Sequence, residues 1–433
     1  MKNLVKKSII AVLAVSMITS LAACGTTSSE STSEETTTET ESETTDSETA
    51  TATSTSAESD SDYFTDRDLE QTADLTDAEY ITLSDGTDVE ITEEGVYVIS
   101  GSATDVTITV DCEDENAKVQ LVLDGASITN TDMPAIYVKA ADKVFVTLAD
   151  GTSSTLEVTG TYATDDEENF DAVIYAKDDL VLNGTGSLTI VSASGNGIAA
   201  KDDLKITGGT YDITASDSAL DVNDLIAICD GDITINATND GLHCEYSDDD
   251  TVGEIYISGG TFNITAGDDA IHAQTLITID GGTFTINAAE GIEATYIIIN
   301  DGTIDITASD DGINAASKSS AYTATIEVNG GEITISMSGN DTDAMDSNAN
   351  IIINGGTIDI TGDSAFDYDG TGELNGGTVT VNGEEITELT NSMMGGMGGG
   401  QMSGAPSDSG TVPSDQGNMS GAPSGGGQMG GGM

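Results

Sequence analysis

The chain has no tryptophan, and its 11 Lys and Arg and two His stand against 77 Asp and Glu in 433 residues, a formal net charge of −66. Without Trp, the broadest aromatic stacking platform is excluded, and any such role falls to tyrosine. So few bases exclude nucleic acid and anionic lipid surfaces as electrostatic partners. Cysteine is scarce as well: Cys24, Cys112, Cys229 and Cys244 show no metal-type spacing. With Cys24 set aside, three thiols form at most one pair. Only one apolar run is of note, from Ile9 to Ile18, and no second stretch is long enough to span a bilayer.

That run follows Lys2, Lys6 and Lys7 and leads into Leu-Ala-Ala-Cys at 21–24. The order of charge, short apolar core and small residues is that of an export signal. It resembles a bacterial lipoprotein signal, which implies cleavage after residue 23, lipid on Cys24 and a chain held at the outer face of the cell membrane. Removing residues 1–23 takes away three lysines and no acids, leaving 77 acids against 8 bases, or −69. Residues 24–62 are almost entirely Ser, Thr, Glu, Asp and Ala, too poor in apolar surface to fold, and read as a self-repelling spacer. Residues 392–433 form a Gly- and Met-rich tail.

Between these lies a body with a fixed rhythm. Apolar residues after Gly or Ala stand at Ile198, Leu220, Leu242, Ile271, Ile292, Ile313, Met345 and Phe366. Subtraction gives spacings of 22, 22, 29, 21, 21, 32 and 21. Segments such as "GGTYDIT", "GGTFNIT" and "DGTIDIT" alternate polar and apolar residues with period two, the strand signature. A second strand precedes each Gly-Gly turn, and a third carries the Gly-Ile-x-Ala segment. Three strands and three turns in about 21 residues leave no room for a crossover helix. The fold class expected is therefore all-β, a right-handed parallel β-helix rising about 4.8 Å per coil, over residues 119–391. Residues 63–118, also strand-like, are expected to cap the first coil.

Stacking gives each column a meaning. Two residues before each Gly-Ile position stand Ser218, Asp240, Asp269, Glu290, Asp311, Asp343 and Ser364; one residue after it stand Asp221, His243, His272, Glu293, Asn314, Asp346 and Asp367. Asp217, Asp268, Asp310 and Asp363 flank the first column. Carboxylates about 4.8 Å apart repel by roughly 1 kcal/mol in water and by several times that near a protein surface, so the strip calls for compensation. Calcium, which accepts six to eight oxygens, is the expected cofactor. The candidate ligands are Asp217, Asp221, Asp240, Asp268, Asp269, Glu290, Glu293, Asp310, Asp311, Asp343, Asp346, Asp363 and Asp367. A solvated acidic face is the plainer alternative. The two long periods insert loops near Tyr246 and Tyr322, the candidate sugar-stacking residues.

Four segments, "EEGVYVISGSATDVTITVD", "AKVQLVLDGASITNTDMPAIYVKAADKVFVTLADGT", "AVIYAKDDLVLNGTGSLTI" and "NGIAAKDDLKITGGTYDITASDSAL", resemble the bacterial carbohydrate-binding-domain family of clostridial surface lipoproteins, across roughly Tyr80 to Glu385. The resemblance implies a calcium-containing right-handed parallel β-helix that binds cellulose and pectin-type polysaccharide without catalysis. A polysaccharide lyase is the enzyme rival; it needs calcium and a Lys or Arg base, and Lys177 and Lys201 hold equivalent places in successive "AKDDL" segments. Surface pairing with Asp178, Asp179, Asp202 and Asp203 is the plainer expectation for both. A structural adhesin or an ice-binding face of threonine rows is the third class.

Overall fold

The computed structural model describes residues 60–163, 168–339 and 342–391. The signal, Cys24, nearly all of the acidic spacer and the Met-rich tail lie outside these residues.

Coils of three strands stack in parallel. A smaller sheet of 12 strands runs from Val89–Ile91 to Ser364–Tyr368, and a 22-stranded sheet holds the other two strands of each coil. The alternation read from sequence sets which side chains enter the core. Tyr211, Ile233, Phe262, Phe284, Ile304, Ile333, Ile358 and Val379 pair in register from coil to coil, and each is at most 1% exposed. Phe262 and Phe284 stack with ring centroids 4.6 Å apart. Cys244 is fully buried and free. At the far end of the stack Thr378–Val381 turns back in an antiparallel hairpin with Glu384–Ile386.

The recurrent glycine before the apolar residue has a steric cause. A Cβ on Gly291 would lie 2.3 Å from the carbonyl oxygen of Gly312 in the next coil, and one on Gly241 would lie 2.4 Å from that of Ala270. Gly291→Val is expected to cost about 1–3 kcal/mol through displacement of the neighbouring coil, read as a lower denaturant midpoint at constant slope.

The residues before successive Gly-Gly and Asp-Gly turns form a side-chain ladder. Asn300 Nδ2 donates to Asp280 Oδ1 at 2.7 Å, Asn329 to Asn300 at 2.8 Å, Asn354 to Asn329 at 2.9 Å and Asn375 to Asn354 at 3.0 Å.

Residues 63–118 are not a separate cap. Glu79–Thr82 pairs in parallel with Gly95–Thr104, and that strand pairs with Lys118–Asn130, so regular coils begin near Glu79. The segment before them straps the outside of the larger sheet, and residues 60–62 belong to it rather than to a spacer. Tyr63 stacks on Tyr256 with ring centroids 3.9 Å apart, Arg67 lies 4.5 Å over the Phe145 ring, and Lys205 Nζ donates to the Tyr63 carbonyl at 2.6 Å. Asp68, fully buried, meets Lys143 Nζ at 3.2 Å.

Candidate functional site

The smaller sheet carries one outward column along its whole length. Register runs Glu90, Thr109, Tyr137, Tyr175, Ala199, Asp221, His243, His272, Glu293, Asn314, Asp346, Asp367. Its inward neighbours, such as Leu220, Val222, Ile292 and Ala294, are fully buried, so alternation turns the column outward. The stacking expected for the acidic strip is thus present rung by rung from Asp221 to Asp367.

The other expected column has a different duty. Asn196 Oδ1 accepts the Ser218 N–H at 3.0 Å, Asp240 Oδ1 that of Asp269 at 3.0 Å, and Asp311 Oδ1 that of Asp343 at 3.0 Å. Asp343 in turn accepts the Ser364 hydroxyl. These side chains stitch one coil to the next. The flanking Asp217, Asp268, Asp310 and Asp363 are exposed at the rim.

In the middle of the strip the chain supplies its own cations. His272 Nδ1 lies 2.7 Å from Asp269 Oδ2 and 3.0 Å from Glu293 Oε2, and its Nε2 lies 3.2 Å from Glu245 Oε2. Lys318 Nζ also pairs with Glu293. Burial alone would push His272 down, but the three carboxylates outweigh it and hold the imidazole protonated well above its usual range. Glu293 is itself buried, yet His272 and Lys318 keep it below the ordinary carboxylate range. Asp269 is raised because burial outweighs its bond to His272. Compensation at Asp269 and Glu293 is therefore internal, where calcium was expected. The signal available in the sequence was the repeated Asp-x-x-His at 240–243 and 269–272. Glu245 and Lys318, on the irregular loops, carried none.

Toward the C-terminal end no such cation appears among the described residues. Asn314 donates from Nδ2 to Glu290 Oε2 at 2.9 Å and to Glu293 Oε1 at 3.2 Å, while its Oδ1 is buried and has no partner. Burial, with neighbouring Asp269, Glu293 and Asp311, pushes Glu290 up to about 8. Burial and the acids around them push Asp311 and Asp346 up to about 6 each. A cation beside them would favour their ionised forms.

Toward the N-terminal end the column turns aromatic. Phe170 packs edge-on against Tyr137 and Tyr175 at centroid distances of 5.0 and 5.4 Å. A cleft of about 460 Å³ beside them is lined by Glu90, Asp111, Met133, Tyr137, Lys139 and Phe170. Sequence reading missed this half because the period fails there: Ile136 pairs with Ile174, 38 residues on.

Of the tyrosines expected to stack sugars, Tyr246 is half-buried in a depression it shares with Lys201, His243 and Glu245, beside the column. Tyr322 is 39% exposed and lies 5.7 Å from Tyr296, whose strand belongs to the larger sheet. The lysine pairing differs from expectation. Lys177 pairs with Glu168, and Lys201 lies 3.6 Å from Asp221 and 5.6 Å from the Tyr175 ring centroid. Asp179 and Asp203 are met instead by Lys143 and Lys205, at 3.6 and 3.7 Å.

The β-solenoid thus stacks an aromatic segment and an acidic segment in one column, with the buried Ala199 between them. A family model of carbohydrate-binding domain-containing proteins matches residues 85–341 and 292–386. A carbohydrate-binding domain-containing protein of Acetivibrio thermocellus is 33% identical over 202 residues, 46% of this chain and 70% of that one. A solved structure of a polysaccharide lyase-like protein from C. thermocellum, a gadolinium derivative, is 34% identical, with 50% of this chain and 92% of that chain covered at a TM-score of 0.46. The chain belongs to the family of carbohydrate-binding domain-containing proteins.

Proposed function

We propose that the protein is a surface-tethered binding module, without catalysis, that holds a plant-type polysaccharide along the outward column, polygalacturonate ahead of cellulose. The observation that carries this reading is the column itself, one residue per coil stacked in register on the outer side of the smaller sheet from Glu90 to Asp367, half-buried at Asp221, His243, Asp346 and Asp367. Eleven steps of about 4.8 Å make a track of roughly 53 Å, suited to a chain of sugars rather than to one ring. Tyr137 and Tyr175 are only 8% and 5% exposed, so sugar contact falls to the half-buried acids Asp221, Asp346 and Asp367, which accept from hydroxyls.

Calcium fits the C-terminal part. The orphaned Oδ1 of Asn314 and the acids near it form a hard-oxygen donor set, the chemistry this ion takes. Glu290, Asp311, Asn314 and Asp346 would hold it, with Asp343 and Asp367 beside them. There the ion would offset the acidic strip and supply positive charge toward a uronate carboxylate. Asp217, Asp268, Asp310 and Asp363, exposed at the rim, are its outer candidates. Lipid on Cys24 would keep the module at the outer face of the membrane.

Both lysines considered as bases for an eliminating lyase are engaged in ion pairs, which supports binding over catalysis. Calorimetric titration of polygalacturonate is expected to show binding in calcium and none in excess chelator. Equal affinity in both would overturn the calcium-bridged reading.

A further inference from the structure

The chain has only two histidines, and they occupy neighbouring rungs of the column: His243 pairs in register with His272, their rings parallel within 5° and 4.7 Å apart. Each follows an aspartate by three residues and turns Nδ1 to it. His243 Nδ1 lies 2.6 Å from Asp240 Oδ2, and His272 Nδ1 lies 2.7 Å from Asp269 Oδ2. A carboxylate on one ring nitrogen orients the imidazole and makes the opposite nitrogen the better donor to a metal. On that opposite side of His272 stands Glu245, its Oε2 3.2 Å from Nε2.

Ligand atoms of His243, Glu245 and His272 lie within 4.8 Å of one another. A tetrahedral ion with bonds of about 2.0–2.1 Å sets any two of its ligands about 3.3 Å apart. The Glu245–His272 pair already has that separation, and the His243 ligand atom lies within 4.8 Å of both. Cys244, between His243 and Glu245, points into the core and takes no part.

We propose that His243, Glu245 and His272 bind one divalent transition-metal ion of the zinc type, with solvent in the fourth position. Two imidazoles and a carboxylate favour such an ion over calcium, which prefers oxygen alone. The site is therefore distinct from the oxygen set near Asn314, and it stands whether or not a glycan binds.

The test is a titration of the full-length protein with cobalt(II) in excess calcium, read by visible absorption and repeated with zinc by calorimetry. One equivalent with a tetrahedral-type band is expected. His243→Ala and Glu245→Gln, both at half-buried positions, should each weaken binding by about tenfold or more while thermal unfolding shows them folded. Absence of a one-equivalent site, displacement by calcium, or full affinity in both variants would overturn the proposal.

Discussion

Replacing His272 by alanine is expected to lower the free energy of unfolding by about 3–5 kcal/mol, the range for removing one partner from a buried charge cluster. The side chain is 4% exposed and touches the carboxylates of Asp269, Glu245 and Glu293. Lys318 still serves Glu293 in the variant, but Asp269 is left 5% exposed with no cation bonded to it among the described residues. The loss therefore belongs mainly to Asp269, and a second change there distinguishes lost charge balance from lost packing. If charge dominates, Asp269→Asn in the alanine background should recover a large part of the loss, a coupling readable in a double-mutant cycle of denaturant midpoints. Purely additive losses would assign His272 to packing alone.

The second large effect is on pH. Glu290 is raised from 4.5 to about 8, and Asp311 and Asp346 from 3.8 to about 6. For an acid raised in the folded state, the native chain binds more protons than the unfolded one between the two values. Stability is then fully present below the unfolded pKa and falls as pH rises through the folded one. In chelator, unfolding free energy should fall from about pH 4 to about pH 8 by on the order of 5 kcal/mol, allowing for solvent screening at these partly open positions. His272, raised above 6.5, adds a decline in the same direction above neutrality. Calcium should flatten the curve, because an ion bound to ionised carboxylates replaces the protons they would otherwise hold. A melting temperature independent of pH between 4 and 8 in chelator would show that these acids are solvated.

The coils were legible because a parallel solenoid repeats one environment. Residues at Ile198, Leu220, Leu242, Ile271, Ile292, Ile313, Met345 and Phe366 meet in register, so a period read in one dimension became a column in three. The outward partners of that column followed with it, which is why the acidic strip could be written down residue by residue. What could not be read depends on segments without a period. The strap joins Asp68 to Lys143 and Asp60 to Tyr256, contacts 75 and 196 residues apart that no repeat marks. Lys318 and Glu245 reach the strip from insertion loops, and nothing in their spacing marks them as partners of His272. Calcium was inferred from repulsion between stacked acids, and that argument holds only where no cation of the chain intervenes, as near Asn314.

The most direct test of the account is calorimetric titration of polygalacturonate into calcium-loaded wild type and a Glu290→Gln, Asp346→Asn variant shown to be folded. The account predicts that the variant loses both calcium uptake at this part of the column and most of its affinity for the glycan. Unchanged glycan affinity in the variant would contradict it and move the binding surface off the acidic part of the column.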